Sequence, residues 1–144
     1  MKALFDTSLL VAGLVEAHPF HDRAFAWLRR ARERRLELHI SAHSVAELYA
    51  VLTVLPVRPR IAPSTARRLV RDNTEAASSV VTLTAADYDR TVERMATLGL
   101  GGGAVYDALI ARAAEKASVD KLVTFNVADF ERVWPEGRSV ITPA

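Results

Sequence analysis

The sequence predicts an α/β fold built on a mostly parallel central sheet of about four or five strands. Three observations carry that expectation. Short apolar or β-branched runs alternate with longer segments of helical periodicity along all 144 residues. The composition, 50% hydrophobic and 25% charged, is globular and can fill a sizeable core. No internal repeat, low-complexity tract or linker interrupts the alternation, so one domain over residues 1–144 is expected.

Residues 2–5 form a short apolar run, read as a buried strand that Asp6-Thr7-Ser8 interrupts. Ser8 to Glu16 reads as a short helix closed before Pro19. Phe20 to Arg35 carries Phe20, Ala24, Trp27, Leu28 and Ala31 at helical spacing, with arginines on the other face. Leu36 to Ile40 alternates apolar with polar and reads as a strand. Ser41 or Ser44 then caps a helix to about Leu55, and Pro56, Pro59 and Pro63 mark a connection. Ser64 to Asn73 reads as a helix and β-branched Ser79 to Leu83 as a strand. Thr84 to Leu98 is helical, with Thr84 as N-cap and Asp87 three residues on. Gly99, Gly101, Gly102 and Gly103 form a flexible loop before an alanine-rich helix over Ala104 to Ala117. Leu122 to Phe125 reads as a strand, Asn126 to Val133 as a turn with a short helix, and Ser139 to Ile141 as a last strand.

Composition also excludes whole classes of function. No apolar run approaches the roughly 18 residues of a membrane span. An acid at position 6 comes too early for a secretory signal, so a cytoplasmic protein without a membrane partner is expected. Cysteine is absent, which removes disulfides, thiolate chemistry and Cys-ligated zinc. Nineteen basic against 17 acidic side chains leave a net charge of +2, too small by itself to require a polyanion. The basic residues are clustered, however: Arg29, Arg30, Arg32, Arg34 and Arg35 in one window, and Arg58, Arg60, Arg67, Arg68 and Arg71 in a looser one. A planar guanidinium suits phosphate; a solvated helix face explains either cluster too.

Parallel sheets bind ligands beyond the carboxyl ends of their strands. Asp6 follows the first strand, and Glu47 lies about one turn into the helix after the second. Asn126 and Asp129 follow the fourth, and Asp107 lies in the first turn after the glycine loop. Carboxylates gathered at one edge repel one another unless a hard divalent cation neutralises them. Mg²⁺ and Mn²⁺ prefer oxygen ligands, and Mg²⁺ takes one or two carboxylates plus waters and phosphate oxygens. Each acid also has a local explanation. Asp6 suits the cap of the helix near Ser8, and Glu47 completes a Ser44-x-x-Glu47 capping box. Asp107 complements a helix dipole, and Asp129 caps a turn near Phe130. The sequence leaves both kinds of reading open. Asp22, Asp72, Asp87, Asp89 and Asp120, in helices or connections, serve as controls.

Four segments in this order resemble the motifs of the PIN-domain family: Asp6-Thr7-Ser8 after an N-terminal strand, Ser44-Val-Ala-Glu47-Leu, Gly102-Gly103-Ala-Val-Tyr-Asp107, and Leu122-Val-Thr-Phe-Asn126-Val-Ala-Asp129-Phe130. Their order, spacing and total length are similar to the VapC-type toxins of bacterial toxin–antitoxin pairs, over essentially the whole chain. The resemblance implies a three-layer α/β/α fold and a Mg²⁺- or Mn²⁺-dependent endoribonuclease acting on structured RNA such as tRNA. It implies Asp6 and Asp107 as the principal metal ligands, with Glu47 completing the acidic cluster through a water or directly. Thr7 or Ser8 would hold a water of the metal, and Thr124 would orient a ligand from behind. Asn126 stands where some relatives carry Asp; Asp129 is then the fourth acid. The implied reaction is hydrolysis of a phosphodiester by a metal-activated water, leaving a 5′-phosphate and a 3′-hydroxyl. The resemblance further implies a cognate antitoxin whose C-terminal segment docks on the apolar helices between residues 9 and 55, inserting an arginine into the acidic pocket. It also implies a homodimer, in which Arg29, Arg30, Arg67 and Arg68 contact RNA phosphates.

Other chemistries find less support. The run Gly99 to Ala104 follows a helix, not a strand, so it lacks the context of a dinucleotide fingerprint. The pairs His18/His21 and His39/His43 do not suit a helical zinc site, since His39 falls in an expected strand and His43 near a helix cap. A phospho-receiver would need an adjacent acidic pair and a lysine after a late strand; Thr7 follows Asp6, and Lys121 precedes its expected strand. The rival from another class is a degenerate PIN-fold module that binds RNA or protein without cutting.

Overall fold

A computed structural model describes residues 1–144. Five strands form the sheet: β1 (Lys2–Phe5), β2 (Glu37–Ser41), β3 (Ser79–Val81), β4 (Lys121–Thr124) and β5 (Ile141–Pro143). Their order across the sheet is β3-β2-β1-β4-β5, and every pairing is parallel. The helices are α1 (Thr7–Leu14), α2 (His21–Arg32), α3 (Ala42–Val54), α4 (Pro63–Ala76), α5 (Ala85–Leu98), α6 (Ala104–Lys116) and α7 (Val127–Val133). A short 3₁₀ turn at Pro135–Gly137 leads into β5.

Alternation along the strands sorts the core into two halves. Ala3 and Phe5 of β1 and Val123 of β4 join Leu38 and Ile40 under α1 to α4. Leu4 and Leu122, one residue out of phase, join Ile110, Phe130 and Trp134 under α5 to α7. The sheet is thus covered on both faces, as its apolar strands require, and the three-layer α/β/α expectation holds. Phe5 pairs in register with Ile40 on one side and Val123 on the other. The chain leaves β1 toward β2 and β3 and later returns to place β4 on β1's other edge. The order therefore reverses at β1, and a crevice opens past the carboxyl ends of β1 and β4.

Several expectations shift by a residue or two. α1 begins at Thr7 because Asp6 itself is the cap. Helix α3 starts from Ser41, whose hydroxyl accepts from the His43 amide at 3.2 Å, so Ser44 is not a cap. Lys121 opens β4 rather than preceding it, because Leu4 pairs with Leu122 and Ala3 with Lys121. The last strand lies later than Ser139–Ile141, its Ile141 paired with Leu122. The glycine loop has a defined shape: Gly99 closes α5 at φ 68, and Gly102 turns the chain at φ 64. No helix is long and apolar enough to cross a membrane.

Candidate active site

Asp6 ends β1 at the reversal point and caps α1, its Oδ1 accepting from the Leu9 amide at 3.0 Å. The Ser8 hydroxyl reaches both carboxylate oxygens, at 2.8 and 2.9 Å. Thr124, at the end of the neighbouring strand, donates its hydroxyl to Oδ2 at 2.8 Å and accepts from the Asn126 amide at 2.9 Å. A hydroxyl has one proton, so the bond from Asn126 commits that of Thr124 to Asp6. Asp6 is 3% exposed. Burial pushes its pKa up to about 6, against these hydrogen bonds; the Asp107 charge adds to the rise.

Asp6, Glu47 and Asp107 line one cleft of about 350 Å³, with Thr7, Ser8 and Asn126. Val11, Val51, Leu55 and His18 continue it as a largely apolar wall. Asp107 comes from the first turn of α6, on the far side of β1 from α3. Its pKa is also pushed up to about 6, by burial first, then by the Asp129 and Glu47 carboxylates. Arg132 and His43 oppose the rise through space, and no hydrogen bond from the chain is among the influences on it. Glu47 is half-buried and bonded to His43 Nε2 at 2.8 Å, from one turn earlier on α3. The cleft therefore holds negative charge that protein cations only partly offset.

The local explanations resolve residue by residue. Asp6 is a cap and lines the cleft as well. The capping-box reading of Glu47 fails: Ser44 lies inside α3, fully buried, and accepts the Thr7 hydroxyl at 3.0 Å. That bond ties the start of α1 to α3. Asp129 stands exposed in the first turn of α7, outside the lining of the cleft, yet near enough to act on Asp107. Of the controls, Asp87 closes the Thr84 capping box and binds Arg112 and Lys116, and Asp120 binds the Lys2 amide at the opposite end of β1.

No group of three His, Asp or Glu side chains is arranged to hold one ion directly. Asp6 is tied to Ser8, Leu9 and Thr124 and Glu47 to His43, so their oxygens do not turn to a common point. The donor set nevertheless fits a hydrated hard cation. Such an ion needs one or two carboxylates and keeps several waters, and Asp107 offers a carboxylate that no donor of the chain satisfies.

The arginines lie elsewhere. Arg29 and Arg30 are in the last turn of α2, where Arg30 stacks on Trp27 at 4.5 Å. Lys121, at the amino end of β4, covers the same ring, so this cluster marks the edge of the sheet opposite the cleft. Arg67, with Arg71, lines a groove of about 610 Å³ between α3 and α4; Arg68 is exposed nearby. Of the apolar residues between 9 and 55, Leu10, Leu48 and Leu52 are core, Leu14 and Val51 are partly buried, and Val54 is 68% exposed. Sequence reasoning gives no place in the site to His18, His43, Tyr106 or Arg132. The available signal for His43 is its four-residue spacing from Glu47, and for Tyr106 its adjacency to Asp107.

A family model described as PIN domain matches residues 3–133. Ribonuclease VapC40 of Mycobacterium tuberculosis is 39% identical over 134 residues, 91% of this chain and 93% of its own length. Ribonuclease VapC27 of the same species is 37% identical over 109 residues, 76% of this chain and 74% of its own. Among solved structures, VapBC2 from Rickettsia felis, bound to a DNA fragment of its promoter, superposes with a TM-score of 0.70 at 19% identity, over 100% of this chain and 99% of the other. FitAcB from Neisseria gonorrhoeae gives 0.66 at 22%, over 91% and 92%. These two show the shared fold. The motif order, the all-parallel three-layer sheet and the curated relatives agree, and the chain belongs to the PIN-domain family as a VapC-type ribonuclease.

Proposed function

We propose that the acidic cleft is where this ribonuclease hydrolyses RNA phosphodiesters, as the toxin of a type II toxin–antitoxin pair. One observation carries the reading: Asp6, Glu47 and Asp107, from three separate segments, line one cleft at the strand-order reversal. Asp6 and Asp107 are the residues that would hold Mg²⁺ or Mn²⁺, and Glu47 would complete the acidic cluster around it, through a water or directly. Bound there, the ion supplies a lowered pKa for a coordinated water and neutralises charge on the phosphate. The chain does the positioning. Ser8, the Leu9 amide and Thr124 fix both oxygens of Asp6. Thr7 fixes the spacing of α1 and α3, and hence of Asp6 and Glu47. Asn126 offers an amide to a cleft water, and Asp129 adds the fourth negative charge. The products are a 5′-phosphate and a 3′-hydroxyl.

The partners in this reading are a cognate antitoxin, an RNA such as tRNA and a second copy of the chain, in the cytoplasm. Arg29, Arg30, Arg67 and Arg68 then serve phosphates far from the cut. A receiver-like phosphorylation site is not supported, since Lys121 lies at the opposite edge. The test is incubation with total RNA, with Mg²⁺ or chelator, beside Asp6→Asn and Asp107→Asn. Cutting that needs the metal and both acids is expected. Metal-independent cutting, or full activity in both variants, defeats the chemistry. Unchanged RNA binding with no cutting by the wild type supports the non-catalytic module instead.

A further inference from the structure

Two carboxylates of the cleft have aromatic neighbours, and those aromatics pack on each other. His43 holds Glu47 through Nε2 at 2.8 Å. Tyr106 immediately precedes Asp107 on α6. The rings of His43 and Tyr106 are parallel to within 3°, with centroids 5.3 Å apart. Tyr106 is nonetheless 53% exposed, so much of its ring is open to solvent, and it adjoins the cleft through Asp107, which lines it.

We propose that Tyr106, backed by His43, is the stacking platform for an unpaired RNA base next to the phosphate that is cut. The proposal rests on the reading of the cleft as the site of RNA hydrolysis. Charge selects a base as the occupant. Tyr106 adjoins Asp107, its partner His43 holds Glu47, and Asp129 acts on Asp107 with only Arg132 and His43 opposing; such a neighbourhood repels a second phosphate and tolerates an uncharged ring. Stacking also needs no particular base, since every base has a π face. The surface is pre-organised: His43 is held by Glu47 and in turn supports the tyrosine ring, so little freedom is lost on binding. The aromatic group around Phe20, on which the lining residue His18 packs at 5.8 Å, is different. Phe20 and Phe125 stack at 5.1 Å, but the Arg23 guanidinium lies over both, at 5.6 and 5.3 Å. Tyr106 has no such cover.

A base stacked on Tyr106 has left its own helix, so the cut falls in a loop, bulge or single strand rather than inside a duplex. The experiment is a cycle between protein and RNA. Steady-state cleavage is measured with Mg²⁺ on a short RNA carrying one cut site, using wild type, Tyr106→Ala and Tyr106→Phe. Each is repeated on RNAs with a single abasic ribose on either side of the cut. Tyr106→Ala is expected to raise KM by about five- to a hundredfold, with kcat much less affected. Tyr106→Phe, which keeps the ring, is expected to restore KM. On the RNA lacking the stacked base, wild type and Tyr106→Ala are expected to coincide. A Tyr106→Ala loss of the same size on every RNA, abasic ones included, overturns the platform. So does a Tyr106→Ala KM equal to that of wild type on intact RNA. If wild type cuts no RNA with Mg²⁺, the reading of the cleft itself fails, a different result from either.

Discussion

Asp6 caps α1 through the Leu9 amide and lines the cleft with the same buried carboxylate, so two explanations that compete in the sequence coexist in one residue. Its ionised form is costly. With its pKa raised from 3.8 to about 6, holding the charge at neutral pH costs on the order of 2–3 kcal/mol. The folded chain keeps this proton to about pH 6, whereas the unfolded chain releases it near 3.8. The native state thus binds more protons across that window, and the Asp6 contribution to stability falls as pH rises through it. Asp107 has the same sign. Asp87 has the opposite sign: the Lys116 ammonium, the Thr84 amide and Arg112 hold its carboxyl below the usual range. Its contribution is present above about pH 4 and fades below. Asp6→Asn is therefore expected to flatten the decline of the Tm between about pH 4 and 6, read by thermal melts. The same variant is expected to lose more than about a hundredfold in RNA cleavage. Millimolar Mg²⁺ is expected to raise the wild-type Tm near pH 7 and much less near pH 5, where protons compete for the carboxylates. Asp107→Asn is expected to abolish that shift; an equal shift in this variant would place the ion elsewhere.

At the scale of elements, the cleft depends on how helices are seated against strand ends. The Thr7–Ser44 bond joins two buried hydroxyls across α1 and α3. Thr7→Val leaves the Ser44 hydroxyl without that partner, and a loss of about 1–2 kcal/mol is expected in urea unfolding. Gly13 lets α1 close on α2: an added Cβ would run into the Leu28 side chain. Leu28 is only 2% exposed and has little room to give, so Gly13→Ala is expected to cost about 1–3 kcal/mol by the same measurement. These elements are largely legible in the sequence. Periodicity locates all seven helices and five strands to within a few residues, and the Thr84–Asp87 capping box is present as its spacing predicts. The cap of α3 is not settled that way: Ser41 and Ser44 both suit an N-cap, and only the pairing of β2 with β3, Ser41 opposite Val81, shows which falls at the strand end. Ser44-x-x-Glu47 satisfies the spacing of a capping box without being one.

The whole molecule is polar in its chemistry. Acids gather past the carboxyl ends of the strands, and Arg30 and Lys121 cover Trp27 at the other edge, with Arg29 in the same last turn of α2. Arg29→Gln with Arg30→Gln is expected to lower the salt dependence of binding to a long structured RNA, by about one in log–log slope for each phosphate no longer neutralised. Cleavage of a short fragment spanning only the cleft is expected to change little. An equal reduction on both RNAs would mean that the two ends of the sheet act on the same few nucleotides.

The α/β class, the parallel sheet and the candidate acids were determined by the sequence alone, because periodicity and turn chemistry are local and the strand-end rule converts them into positions. Tertiary structure decided which acids meet. Asp6 and Asp107 are about a hundred positions apart, and although the Thr84 capping box marks Asp87 locally, nothing local says that Asp107 meets Asp6. Packing sends Asp87 to the Arg112 and Lys116 side chains and Asp107 to a cleft where no donor of the chain meets it. The same packing set His43 against Tyr106, a pairing of rings from two helices that no spacing along the chain encodes.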